Sequence, residues 1–535
     1  MIIKFKYICF VTLFFLSVYG NAQNQVKDNI RTRIENSKYN SIIIGNQIIH
    51  CKTPLSLFYQ NRFYQPVWKS SKIIRSFIKE LEKAHEEGLN PNDYHFQAVL
   101  KLLENDSISV PRDVELDLLL TDAFFLYTSH HLNGKVDPHK LVPRWKIETD
   151  QNDIIELLQK SILNNSAKPF LDGLKPNDKT YIGLKKALKN YSNYKEDGGW
   201  QDIPYGVSIK YGMSDPRIPM IRKRLVTTKD LSKRRLSDSD LYDEALFEAV
   251  QRFQIRHGMD STGEINKNCL EQMNISVDDR IDEIKINMDR WRHSSQQLGS
   301  YYLKINIPDF TLKVIKNRKI ERVHKVIVGR VDRKTPTFNS IITNLIFNPT
   351  WTVPPGILSA DILPSIRKNI NYLKSKNLVI YSRTGTVVNP ETIDFYSSSA
   401  KSYSYVQPPG SNNALGTVKF IFPNNYSVYL HDTPSKELFK KFQRTFSSGC
   451  IRVENPLKLA EYLLNDPINW NLTKIKKITS TGKTQTVVIK DLPVIHVLYF
   501  TTWTNSDGIV QFRNDIYNKN IEYKKAFKKS PPSFN

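Results

Sequence analysis

The apolar residues of this chain change period once, and that change limits what it can fold into. Up to about residue 278 they recur three and four positions apart, as in Ile74, Phe77, Ile78 and Leu81, or Leu116, Leu119, Leu120, Ala123, Phe124 and Tyr127. Such spacing marks one face of a helix. From about residue 298 the apolar residues alternate or form short runs, Tyr301 to Ile305, Phe310 to Val314, Val326 to Gly329, Val418 to Phe422 and Val428 to Leu430, broken by Asn, Pro and Gly. These predict strands. A chain of 535 residues is too long for one core. The expectation is a multidomain α+β protein, helical at first and mostly β in its later part.

Boundaries follow from the same pattern. Residues 23–205 read as a helical scaffold. Residues 206–278 read as a small unit: a short helix with Ile218, Ile221 and Leu225, a loop, a longer amphipathic helix with Leu246, Ala249, Val250, Phe253 and Gln254, and a Gly-ended turn. Residues 298–500 form the β domain, interrupted by an insertion at about 357–410 with a helical pattern from Ile362 to Tyr372. Inserts of that length are usually lids or binding loops. Residues 501–535 form a C-terminal extension whose end, from Lys528, reads as frayed.

Lys4 and Lys6 precede an apolar run from Tyr7 to Val18, and Gly20-Asn21-Ala22 offers small residues for cleavage. This is the layout of a secretory signal over residues 1–22. The run is short for a membrane span, and an uncleaved anchor stays open. Three cysteines lie beyond it, Cys51, Cys269 and Cys450, and three thiols in an exported chain cannot all pair. Cys51 and Cys269 read as small buried residues. The formal charge is +24, and loss of the leader removes only the charges of Lys4 and Lys6. Acidic partners are favoured. Export and the lack of a compact basic cluster interleaved with aromatics argue against nucleic acid. His130 and His131 end one helix without carboxylate or Cys partners at ligand spacing, so no metal is expected.

Chemistry concentrates between His431 and Arg452. An imidazole at 431 and a thiol at 450 flank one loop, and a thiol attacks as thiolate, which a nearby imidazole helps to form. A Cys-His pair without context is more often structural. The Gly449 and Cys450 N–H groups are candidates to face a developing oxyanion. Ser447 and Ser448 either orient the imidazole, bind substrate or simply permit a tight turn. Arg452 has the fork geometry for a carboxylate, or pairs structurally with Glu454. Tyr429, two positions before His431, shares its strand face. Trp351 is a lid contact or core. Asn455-Pro456 is expected to cap and open a helix whose Leu457, Leu459, Ala460, Leu463 and Leu464 anchor the nucleophile loop.

The wording Val428-Tyr-Leu-His431-Asp-Thr-Pro-Ser, followed by Ser447-Ser-Gly-Cys450-Ile-Arg-Val-Glu-Asn-Pro456, resembles the active-site signature of the L,D-transpeptidases (YkuD domain). It is most similar to their large periplasmic YcbB-type branch. The phrases Phe63 to Trp68, Glu87 to Pro91 and Gly134 to Pro138 resemble that branch's scaffold domain, and residues 206–278 its peptidoglycan-binding module of three short helices, the last opening here at Asn266 or Asn268 where the module usually has Thr. Asn348 to Ile357, Gln407 to Gly416, Val497 to Trp503 and Asp507 to Tyr517 extend the likeness to the cap region and the C-terminal extension.

The resemblance implies a Cys450 thioester, with His431 as general base and acid, oriented by a backbone carbonyl such as that of Asp432 rather than by its carboxylate. It implies peptidoglycan tetrapeptide stems as donor and acceptor, cleavage after the third residue, and a 3-3 cross-link. It also implies a periplasmic location, acylation of Cys450 by carbapenems, a cap over the substrate, and no metal or organic cofactor. Hydrolysis of the same thioester, as an L,D-carboxypeptidase, and an inactive wall-binding scaffold are the alternatives. Glycan binding by the three-helix unit stays open, and no protein partner is indicated.

Overall fold

The computed structural model describes residues 24–36, 41–104, 109–136, 151–295 and 298–529. The expected leader at 1–22, the Asp137-Pro138 end of one scaffold phrase and the tail from residue 530 lie outside the described residues. Among those described, no helix is long and apolar enough to cross a membrane.

Helices come first, as their periodicity predicts. Lys52–Gln60, Ser71–Glu82, Phe96–Glu104, Val110–Asn133 and Gln151–Leu163 enclose a core containing Phe58, Phe77, Leu118, Leu120, Phe124 and Phe125. The 24-residue helix Val110–Asn133 is buried on most of its circumference, as befits the central member. His130 and His131 lie within it as core residues; Tyr94 Oη is 2.9 Å from His130 Nδ1, and the His131 ring packs edge-on against Tyr127.

The next unit has the three expected helices, Ile218–Thr227, Glu244–Arg256 and Lys267–Asn274, around a core of its own. Asn266 is the residue that opens the last of them, its side chain accepting the Cys269 N–H at 3.0 Å. Gly263, at φ +70°, is required because a Cβ there would meet the Phe247 ring at 2.1 Å. Cys51 and Cys269 are buried free thiols in separate cores.

A long helix occupies the gap between two of the domains read from sequence. Residues 279–297, assigned to no domain from sequence, fall mostly within a helix, Val277–Ser295, that ties the molecule together. Its Asn287 exchanges two hydrogen bonds with Thr501, and its Asp289 accepts from Lys135 N, Val136 N and Tyr523 Oη. Its Trp291 shares a core with Tyr181 and Leu188 of helix Lys179–Glu196, with Phe500 at the end of the β domain and with Phe512 of the extension. The extension thus packs on scaffold helices as well as on the β domain. Such contacts, more than a hundred residues apart along the chain, leave no local signal.

Eleven strands make the large sheet of the β domain. We number them β1 (Tyr301–Asn306), β2 (Thr311–Lys316), β3 (Lys319–Gly329), β4 (Phe338–Ile341), β5 (Asn344–Phe347), β6 (Val418–Ile421), β7 (Leu430–His431), β8 (Thr445–Ser447), β9 (Ile451–Val453), β10 (Gln485–Val488) and β11 (Val494–Leu498). Their order is β10-β5-β6-β7-β9-β3-β2-β1-β11-β4, with β8 also paired to β3. Most neighbours are antiparallel, but β7 and β9 run parallel. That parallel pair, one of three in the sheet with β1–β11 and β3–β8, brings the histidine strand beside the strand that follows the cysteine.

Helix Pro456–Leu464 follows β9 and buries Leu459, Ala460, Leu463 and Leu464 in the sheet's core, as expected. Its cap differs from expectation. Asn455 stands at the N-cap position with left-handed φ 50° and makes no side-chain capping bond, because the chain must turn sharply out of β9 there; asparagine tolerates that conformation better than most residues. The insertion is a compact subdomain around Leu358, Ile362, Leu363, Ile366, Ile380 and Tyr405. Its sheet pairs Gln407 with Trp351, so it begins at Trp351 rather than 357.

Candidate active site

Register places the site. Leu430 of β7 and Ile451 of β9 are partners, both fully buried in the sheet's core. The Ile451 N–H donates to the Tyr429 carbonyl at 3.1 Å, which carries the pairing back to Cys450. Side chains alternate along strands, so Tyr429, His431, Cys450 and Arg452 emerge on the other face. Lys419 of β6, the partner of His431, joins them.

His431 is 5 % exposed, and its Nδ1 lies 2.6 Å from the Asp432 carbonyl. A carbonyl only accepts, so Nδ1 carries the proton and Nε2 is left as the free base. The Asp432 carboxylate is turned elsewhere, accepting from Thr417 N at 3.0 Å and Thr417 Oγ1 at 2.8 Å. Backbone orientation of the imidazole, expected from the resemblance, is what the geometry shows. Burial, and then the Arg452 charge, push His431 down to about 3.

Cys450 is partly exposed. Burial pushes its thiol up, while Tyr429, Lys419 and Arg452 oppose that shift. Imidazole and thiol are therefore both neutral at rest. The Tyr429 hydroxyl interacts with the Cys450 thiol and with Trp351, its ring lies edge-on to His431 at 5.6 Å, and Lys419 Nζ sits 3.9 Å from its centroid. Trp351 also packs on the cap's core, so both readings of it hold.

The loop ahead of Cys450 is held by hydrogen bonds of its own. Ser447 is 2 % exposed; its hydroxyl donates to the Cys450 carbonyl and accepts the Gly449 N–H at 3.1 Å. It shapes the turn and has no surface for substrate. The Gly449 N–H is committed to that bond at rest, so its service to an oxyanion requires an exchange. Gly449 itself, at φ +113°, holds a conformation that a side chain would strain. Its carbonyl accepts from Thr335 Oγ1 at 2.8 Å.

Ser448 is exposed and accepts from Arg333 Nη1 at 3.0 Å; Arg333 also pairs with Asp361 of the cap, Nη2 to Oδ1 at 2.9 Å. Arg333 and Asp361 thus tie the nucleophile loop to the cap. Burial pushes the Arg452 guanidinium down, Glu437 is the acid that offsets this, and the buried Arg452 Nε has no hydrogen-bond partner among the described residues. Lys419, Arg333, Asp361 and Thr335 were missed from sequence. For Lys419 a signal existed, since it alternates with the buried Val418 and Phe420 and so had to face away from the core.

Residues 300–489 match the family model described as the L,D-transpeptidase catalytic domain, and residues 53–188 match the Scaffold domain. The chain thus carries an L,D-transpeptidase (YkuD) catalytic domain behind a Scaffold domain. A Haemophilus influenzae protein described as a "Putative L,D-transpeptidase" is 34 % identical over 213 residues, which cover 40 % of this chain and 43 % of that protein. The match spans less than half of that relative. Crystal structures of L,D-transpeptidases from Xylanimonas cellulosilytica and Stackebrandtia nassauensis align over 55 % and 54 % of this chain and 99 % and 94 % of theirs. Each is 12 % identical, with TM-scores of 0.18 and 0.21. Superposition at that level is poor, and the family relation rests on the sequence matches.

Proposed function

We propose that the protein is a periplasmic L,D-transpeptidase that forms 3-3 cross-links between peptidoglycan stems, with Cys450 as nucleophile. The observation that carries this reading is the shared sheet face on which His431, its Nε2 unprotonated, stands with Cys450, Arg452 and Lys419. In the first step Cys450 Sγ attacks the carbonyl carbon of the donor's third residue, and the thiol proton passes to His431 Nε2. The C–N bond to the terminal D-Ala breaks, His431 returns the proton to the leaving amine, and a thioester remains. In the second step the side-chain amine of an acceptor's third residue attacks the thioester. His431 removes its proton, the C–S bond breaks, and the thiol is re-formed.

Arg452 and Lys419 supply the charge that stem carboxylates need. A carboxylate beside Arg452 offsets the charge that depresses His431, so substrate binding itself raises the imidazole's affinity for the thiol proton. Tyr429 and Trp351 form the side of the cleft below the cap, and Ser448 with Arg333 and Asp361 fixes the cap against the nucleophile loop. The Cys450 N–H is the oxyanion donor in this scheme, joined by Gly449 once Ser447 releases it. A closed cap keeps water from the thioester and favours transfer over hydrolysis.

The test is to incubate the full chain with purified tetrapeptide muropeptides and resolve the products by mass. Cross-linked dimers that disappear in Cys450→Ala are expected. Trimmed tripeptides without dimers would instead assign the carboxypeptidase reaction, and no turnover would leave a wall-binding role.

A further inference from the structure

A cavity of about 330 Å³ opens where the tying helix, the loop after β3 and the C-terminal extension meet. It is separate from the face carrying Cys450. Phe500, Leu498 and the rings of Tyr499, Tyr517 and Tyr523 give it apolar walls, and three cations converge on it: Arg290, Lys334 and Lys519. Arg290 lies 4.7 Å over the Tyr523 ring, Lys519 5.0 Å over Tyr499 and Lys334 5.9 Å over Tyr517. None of the three has an ion-pair partner among the described residues. Arg290 donates to Asn520 Oδ1 at 2.7 Å and Lys334 to the Tyr517 carbonyl at 2.9 Å, both neutral acceptors.

The nearby Asp515 carboxylate is already engaged, accepting from Tyr499 Oη at 2.5 Å, Lys519 N at 2.9 Å and Asn520 N at 2.6 Å. Glu522, exposed at the rim, is the acid among the lining residues. Burial, and then Arg290 and Lys334, push the Lys519 ammonium down to about 8, against the opposing pull of Asp515. Like charges gathered around an apolar hollow are costly unless an anion joins them. Asp515 and the rim Glu522 leave one positive charge in excess; three converging cationic donors suit the oxygens of a phosphate, and the ring walls suit an apolar body.

We propose that this cavity binds an organic phosphate monoester, its phosphate among Arg290, Lys334 and Lys519 and its apolar or aromatic part against Phe500 and the three tyrosines. The cavity's wall reaches the nucleophile loop in few steps: Tyr517 Oη donates to the Gly329 carbonyl at 2.6 Å and accepts from Thr335 N at 3.2 Å, and Thr335 holds the Gly449 carbonyl. The inference does not depend on the reaction proposed for Cys450.

The test is calorimetric titration of the full chain, at low ionic strength, with phenyl phosphate, inorganic phosphate, benzoate and benzyl alcohol. Saturable one-to-one binding of phenyl phosphate is expected, with each of the other probes at least about tenfold weaker. The same affinity is expected in Cys450→Ala and in Arg452→Gln. About tenfold weakening is expected in Lys519→Gln and in Lys334→Gln, each with the wild-type melting temperature. Absence of saturable binding would overturn the proposal. So would equal binding of inorganic phosphate or benzoate, unchanged affinity in both lysine variants, or loss of binding in Arg452→Gln, which would place the anion at the catalytic face.

Discussion

Two clusters in this molecule use a cysteine, a histidine and nearby charge, and they are arranged to opposite effect. In the scaffold, Asp122 accepts from Cys51 N at 2.6 Å, His50 N at 3.0 Å and His95 Nε2 at 2.7 Å, while His95 Nδ1 lies 3.0 Å from Gln47 Oε1. Asp122, His95 and Cys51 are all buried, and burial, then the Asp122 charge, push the Cys51 thiol well up. On the sheet face, the charges beside Cys450 are cations, the His431 Nε2 is unprotonated, and Arg452 Nε lacks a partner among the described residues. The residue types are alike; the sign of the adjacent charge and the satisfaction of the polar atoms differ. A satisfied cluster stabilises a fold, and an unsatisfied one waits for a ligand.

The largest expected difference is in stability. Asp122→Ala leaves His95 and two backbone N–H groups buried without their acceptor, a loss of about 3–5 kcal/mol in urea unfolding. The alkylation rate of Cys450 in the folded fraction should not change. Arg452→Gln is the converse: its unfolding midpoint should match wild type, while kcat/KM on muropeptides falls about 10- to 100-fold, the worth of a charged hydrogen bond. If Arg452→Gln destabilised the fold as Asp122→Ala does, the contrast would fail.

A smaller effect separates the two by pH. Burial holds His431 and His130 down at about 3 and His496 at about 4. Unfolded histidines take a proton below about 6.5, so across that window the unfolded chain binds more protons. Stability present above about 6.5 is lost as pH falls toward about 3. Urea midpoints should decline between pH 7 and 4 on the order expected of such groups, and less steeply in His431→Asn. Cys450 alkylation should rise with pH and reach its midpoint above the usual thiol value of about 8.5, because the resting thiol is neutral.

Much of this was legible in the sequence for local reasons. Alternation fixed the strands, and because two positions along a strand share a face, Tyr429 and His431 were placed together before any pairing was known. The Asp432 carbonyl as the histidine's partner came from the family signature and matches the geometry. What local pattern does not encode is which strands become neighbours. Lys419 enters the site only because β6 pairs with β7, and Arg333 meets Asp361 only because the cap folds over the nucleophile loop. Ser447 had three roles open to it, and its burial beneath the loop selects the structural one. The role of helix Val277–Ser295 depends on contacts with both ends of the chain, so its amphipathic pattern alone gave no hint of it.

The central claim is that Cys450, among three free thiols, is the one poised to react. Intact-mass analysis and peptide mapping of the full chain after brief carbapenem treatment tests it most directly. The account predicts a single adduct on Cys450, absent in Cys450→Ala, with Cys51 and Cys269 unmodified. An adduct on Cys51 or Cys269, or a folded protein with Cys450 untouched, would contradict it.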